Sequence, residues 1–165
     1  MMTAPTRLSR STFRARGVVC LEGWLDATTC DALNQKLDAL LAHRLADDQP
    51  GSLQTQPDKR PKASVDPMRP SRKTYQLVNA WKASSTFASV VTSPKLGRLV
   101  AELAGWDGAR LANDQVWVKP PGAEALTMHR DSAYFAMEPP DQVVTVWLAL
   151  DDMDPEVGPL QHVPC

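Results

Sequence analysis

Five prolines, Pro50, Pro57, Pro61, Pro67 and Pro70, fall between Gln49 and Arg72, and they constrain what the chain on either side can become. Proline lacks the amide hydrogen and fixes φ, so neither a helix nor an inner strand runs through such a stretch. The residues between the prolines carry mixed charges and few large apolar side chains, which leaves nothing to build a core from. The stretch over 49–72 is therefore read as one long loop. A loop of that length is either a functional lid or a disordered segment, and both readings stay open.

Before the loop, Val18 to Trp24 reads as a short strand running into a helix capped by Asp26 or Thr28. Leu33, Leu37, Leu40 and Leu41 then recur at helical spacing, with Asp31, Lys36, Asp38 and Arg44 on other faces, so one stripe docks on a core and the helix ends near residues 46–48. After the loop, apolar character resumes from Tyr75 to Trp81. A second helix is bounded by Ser93 as cap, Pro94 at its first position and Gly105 at its stop, with Leu96, Leu99, Val100 and Leu103 along it. Beyond it the pattern is strand-like: 110–119, a turn at 120–122, then 126–131, 143–150 and 160–163. Helices first and antiparallel strands after predict an α+β protein built on a sandwich or jelly roll.

A chain of 165 residues, 43% of them apolar, suits one packed domain. Eighteen basic against 19 acidic residues give a net charge of -1, which offers no broad attraction to nucleic acid or an anionic membrane. No apolar run is long enough to span a bilayer. Cys20, Cys30 and Cys165 form neither a disulfide framework nor a Cys-x-x-Cys motif, which suits a reducing, cytoplasmic setting. Residues 1–17 carry Arg7, Arg10, Arg14 and Arg16 and no acid, a composition shared with organelle transit peptides. With a first strand read from Val18, they are expected to be a basic flexible terminus ahead of a domain over 18–165.

Chemistry concentrates at His129-Arg130-Asp131. Residues two apart on an extended strand point to the same side, so His129 and Asp131 can offer nitrogen and oxygen to one ion while Arg130 points away. They would be two ligands of a two-histidine, one-carboxylate site of the non-haem iron type. Taken alone the motif is weak. There is no Gly-x-Ser-x-Gly elbow, phosphate-cradling Gly-x-x-x-x-Gly-Lys loop, His-Glu-x-x-His helix or dinucleotide fingerprint beside it.

Four ordered blocks make the pattern specific: 113–122 (NDQVWVKPPG), 129–134 (HRDSAY), 146–152 (VWLALDD) and 158–164 (GPLQHVP). Together with the opening at 17–26 they resemble the phytanoyl-CoA dioxygenase family. The resemblance implies a double-stranded β-helix, a cupin-like jelly roll with N-terminal helices packed on it. It also implies Fe(II), 2-oxoglutarate as co-substrate, dioxygen as oxidant and a small organic or acyl substrate. His129 and Asp131 match the family's first two iron ligands. Gln115, Trp147 and Lys73 stand where family members contact the co-substrate.

The family's second iron histidine and its keto-acid arginine lie beyond the point matched by 163–164, and this sequence supplies neither. Its other histidines fall elsewhere, His43 late in the first helix and His162 in the last block. The expectation is a C-terminally truncated domain lacking its last strands. Two functions follow: a dioxygenase of this type, or a catalytically inactive jelly-roll binding domain.

Overall fold

The computed structural model describes residues 7–46, 74–131, 139 and 142–163. The 49–72 loop and Lys73 lie outside these residues, as do Tyr134 and Cys165. The described residues form, in order, α1 (Arg7–Arg16), α2 (Ala27–Ala46), β1 (Tyr75–Val78), α3 (Ala80–Ala83), α4 (Ser85–Val91), α5 (Pro94–Ala104) and β2 (Gln115–Val118), with a 3-10 turn at Pro155–Val157.

The two helices expected from spacing are present with their caps. Asp26 Oδ1 accepts from the Thr29 amide at 2.7 Å, tying down one of the first-turn donors of α2 that have no partner inside the helix. Helix α5 starts as its sequence dictates: Ser93 Oγ accepts from the Leu96 amide at 3.2 Å and Pro94 occupies the first turn. It stops at Gly105, whose φ of 81° is left-handed. There the Trp106 amide reaches back to the Ala101 carbonyl at 2.9 Å, the long bond of a Schellman-type end.

The core forms where these helices meet the strand pair. Leu33 and Leu37 of α2, Leu77 of β1, Ala80 of α3, and Phe87 and Val90 of α4 are buried together. Leu40, Leu41, Val116, Val118, Leu148 and Leu150 pack against them. A second cluster gathers Leu96, Leu99 and Leu103 of α5 with Phe13 of α1 and with Val19 and Leu21, and Trp24 touches both clusters. Lys95 spans that junction, its Nζ 3.0 Å from the Trp24 carbonyl and 4.4 Å from the Trp24 ring centroid.

Strands β1 and β2 are antiparallel, with Leu77 opposite Val116 and Gln76 opposite Trp117. Alternation puts Leu77, Val116 and Val118 on the helix-facing side. Gln76, Gln115 and the half-exposed Trp117 take the other.

Several expectations are corrected. Residues 7–16, read as part of a flexible terminus, form α1, which packs on α5. The strand expected at 18–24 is absent: a turn at 22–23 carries Gly23 at φ 64°, and the apolar residues serve the α5 cluster instead. Helices α3 and α4 were not anticipated. The strand expected over 110–119 shrinks to Gln115–Val118, and 126–131, 143–150 and 160–163 pair with nothing among the described residues. A strand is defined by partner hydrogen bonds, and β-favouring side chains do not supply them. The mixed α and β content stands, but the described residues hold a single two-stranded ladder and no jelly roll. Among them no helix is long and apolar enough to cross a membrane.

Candidate metal centre

His129 and Asp131 lie side by side, although 126–131 forms no strand. His129 Nε2 lies 3.5 Å from Asp131 Oδ1, with the two side chains 46% and 40% exposed. Each remaining atom of the pair has its own partner. His129 Nδ1 is 2.8 Å from the Thr127 carbonyl oxygen, and a carbonyl can only accept, so Nδ1 carries a hydrogen. Asp131 Oδ2 accepts from the Thr145 hydroxyl at 2.5 Å.

These contacts fix the electronic character of the gap. With Nδ1 protonated, Nε2 of a neutral imidazole presents a lone pair, and Oδ1 presents negative charge. Two acceptors then face each other across a gap that a cation, either a proton on Nε2 or a metal ion, would bridge. Donors about 2.1 Å from one ion, set at roughly a right angle to a tetrahedral angle, stand about 3.0 to 3.4 Å apart. The pair at 3.5 Å fits one ion with a small adjustment. Among the described residues no third histidine, cysteine, aspartate or glutamate completes a metal-binding group. His162 is exposed in the final segment, and the side chain of His43 lies outside the described residues.

Thr145 belongs to a segment held from the opposite side. Leu148 and Leu150 pack into the main core. Asn34 Nδ2 of α2 donates to the Leu150 carbonyl at 3.0 Å and to Asp151 Oδ1 at 3.1 Å. Trp147, in the same segment, is 48% exposed and is not a core residue.

Gln115 starts β2 on the side turned away from the helices. Its Oε1 accepts from Gln76 Nε2 at 2.9 Å, so its own Nε2 is the donor end of the amide. The preceding residue, Asp114, was not singled out by sequence, yet its carboxyl is displaced from the ordinary range. Its Oδ1 accepts from the Trp81 amide at 3.4 Å, and its carbonyl accepts from the Asn79 amide at 2.8 Å. Its Oδ2 is enclosed with no hydrogen-bond partner among the described residues. Burial pushes the Asp114 carboxyl above its ordinary range, against the opposing pull of the Trp81 amide. Its placement beside α3, where Asn79 adopts a left-handed φ of 58°, marks it as a structural brace of that turn.

Of the positions expected to serve a site, the structure thus brings His129 and Asp131 together and places Gln115 on the sheet side opposite the helices. Trp147 lies two residues from Thr145. Thr127 and Thr145 were missed by sequence reading. The first contributes only a backbone carbonyl, and the partner of the second is distant in sequence.

A family model described as Phytanoyl-CoA dioxygenase (PhyH) matches residues 13–165. That family implies a cupin-like fold and an oxygenase activity. Its members generally depend on Fe(II) and 2-oxoglutarate. No curated protein and no solved structure matches the chain.

Proposed function

Since the chain belongs to the phytanoyl-CoA dioxygenase family, we propose that it serves an Fe(II)- and 2-oxoglutarate-dependent hydroxylation of a small organic or acyl substrate, with His129 and Asp131 as two of the metal ligands. The observation that carries this reading is the facing pair of acceptors, Nε2 and Oδ1, at 3.5 Å within the stretch that the family model matches. The chemistry that iron supplies when bound is the coupling of keto-acid decarboxylation by dioxygen to hydroxylation of a substrate C–H bond.

The chain's own residues bind and orient. His129 gives Nε2 because the Thr127 carbonyl holds the hydrogen on Nδ1, and Asp131 gives Oδ1 because Thr145 engages Oδ2. Gln115, turned by Gln76, offers its amide hydrogens to an oxygen of 2-oxoglutarate. Trp147 provides an exposed flat face and an indole N–H for the same ligand, and Lys73 a cation for its carboxylate. Cys20 and Cys30 are free thiols, which suits the cytoplasmic location proposed from their spacing.

Succinate release from 2-oxoglutarate, measured with Fe(II) and dioxygen, tests the reading. Release above that of a His129→Ala control supports it. Succinate at the control level, with metal binding retained, removes turnover from this chain and leaves the binding-domain reading in its place.

A further inference from the structure

We propose that Thr145 is the positioning residue of the metal pair: its hydroxyl selects which oxygen of Asp131 meets the ion and sets the plane in which that oxygen is offered. The inference rests on the reading of His129 and Asp131 as metal ligands and adds to it a residue outside the His-x-Asp motif.

An aspartate carboxylate turns easily about its last torsion, because that well is broad and two-fold. Left to itself, Asp131 could present either oxygen, or both, to an ion beside His129. The Thr145 hydroxyl donates to Oδ2 at 2.5 Å, and a hydrogen bond to an ionised acceptor is among the stronger ones. With Oδ2 engaged, Oδ1 is the atom 3.5 Å from His129 Nε2. The carboxylate is thereby held as a one-oxygen ligand. His129 is constrained by the same logic through the Thr127 carbonyl, so each donor has an outer partner fixing its orientation.

Thr145 can do this because it is itself anchored. The segment that carries it reaches the main core three residues on, through Leu148, and again at Leu150. Asn34 holds the Leu150 carbonyl and the Asp151 carboxylate from α2. The position of Asp131 is thus referred to the helical core through chain remote from the motif. Threonine suits the position because its branched Cβ restricts χ1 and so limits where the hydroxyl can point.

The test uses the full chain and cobalt(II) alone as the probe, titrated by visible d–d absorption and by equilibrium dialysis. Thr145→Val keeps the shape and removes the donor, and Thr145→Ser keeps the donor on a smaller side chain. The proposal expects Thr145→Val to weaken cobalt binding by about 10- to 100-fold and to change the cobalt absorption spectrum. Thr145→Ser should recover most of both, a rescue that a role in packing alone would not show. Thr145→Ala, smaller than either, repeats the loss of donor if the valine variant does not fold. Unchanged affinity and spectrum in Thr145→Val, with binding lost in His129→Ala, overturn the positioning role and leave the metal reading standing. Binding that is absent in the wild type, or indifferent to His129→Ala, overturns the metal reading and this inference with it.

Discussion

Asn34 donates to the Leu150 carbonyl at 3.0 Å across 116 positions of sequence, and the same amide nitrogen reaches Asp151 Oδ1 at 3.1 Å. Both acceptors belong to the segment that also carries Thr145 and Trp147. One side chain of α2 thus ties down a length of chain that has no strand partner among the described residues.

Replacing that donor tests the tether. Asn34→Ala should cost about 1 to 2 kcal/mol, because two bonds are lost and a half-buried carbonyl is left wanting. Asn34→Asp is nearly isosteric but turns an acceptor toward a carbonyl and a carboxylate, so it should cost more than alanine. Urea unfolding midpoints of the two variants decide the matter, and an aspartate variant as stable as the alanine variant would show the contact to be incidental.

The ends of α5 offer a second measurement. Ser93→Ala removes the acceptor of the Leu96 amide and should cost about 1 kcal/mol. Gly105→Ala should cost about 1 to 2 kcal/mol because φ is 81° there. An added Cβ would also lie 2.5 Å from the Arg10 guanidinium, a flexible group that can swing aside. The two sites are at opposite ends of the helix, so their effects on the unfolding free energy should add.

Two carboxylates give stability a pH dependence of opposite sign. The Asp26 carboxyl is held below its ordinary range first by the Thr29 amide. Its contribution is present above the ordinary value of 3.8 and is lost as pH falls through the lower folded value. Asp114 is pushed up by burial, so between 3.8 and its folded value the native state holds the extra proton. Stability then falls as pH rises through that window. Unfolding free energies measured from about pH 3 to about pH 7 should lose their decline above the ordinary carboxylate value in Asp114→Asn. In Asp26→Asn, which retains a capping oxygen, they should lose part of their fall toward acid.

What was legible in the sequence is what is local. The stripe of Leu33, Leu37, Leu40 and Leu41, the Asp26 cap and the Ser93-Pro94 to Gly105 boundaries are each decided within a turn or two of chain, and all are found. Helix α4 was also locally encoded, through Ser84, whose Oγ accepts from the Phe87 amide at 3.5 Å, and the Phe87 and Val90 spacing, whereas α3 has no side-chain cap. Their brevity, seven residues at most, hides the periodicity. Strand-like composition over 126–131 and 143–150 failed as a guide because pairing is set by partners elsewhere. At the site, the two-residue spacing sufficed to keep His129 and Asp131 within reach of each other. It could not reveal Thr145, whose partner is 14 positions away, nor Thr127, whose contribution carries no side-chain signature.

The pair itself should matter little to the stability of the metal-free protein and a good deal once metal is added. His129 and Asp131 are nearly half exposed, and such an ion pair contributes about 0 to 1 kcal/mol, so His129→Ala should leave the thermal midpoint almost unchanged in chelator. A ligand that binds only the folded state stabilises it by about 2.7 kcal/mol at a hundredfold excess over its dissociation constant. Cobalt(II) at that excess should therefore raise the wild-type midpoint by several degrees, by roughly 2 to 4 °C per kcal/mol for a chain of this size, and should leave His129→Ala where it was. Equal midpoint shifts in both proteins would mean that the cobalt is held elsewhere, and the two donors would then be only a surface ion pair bridged by a proton.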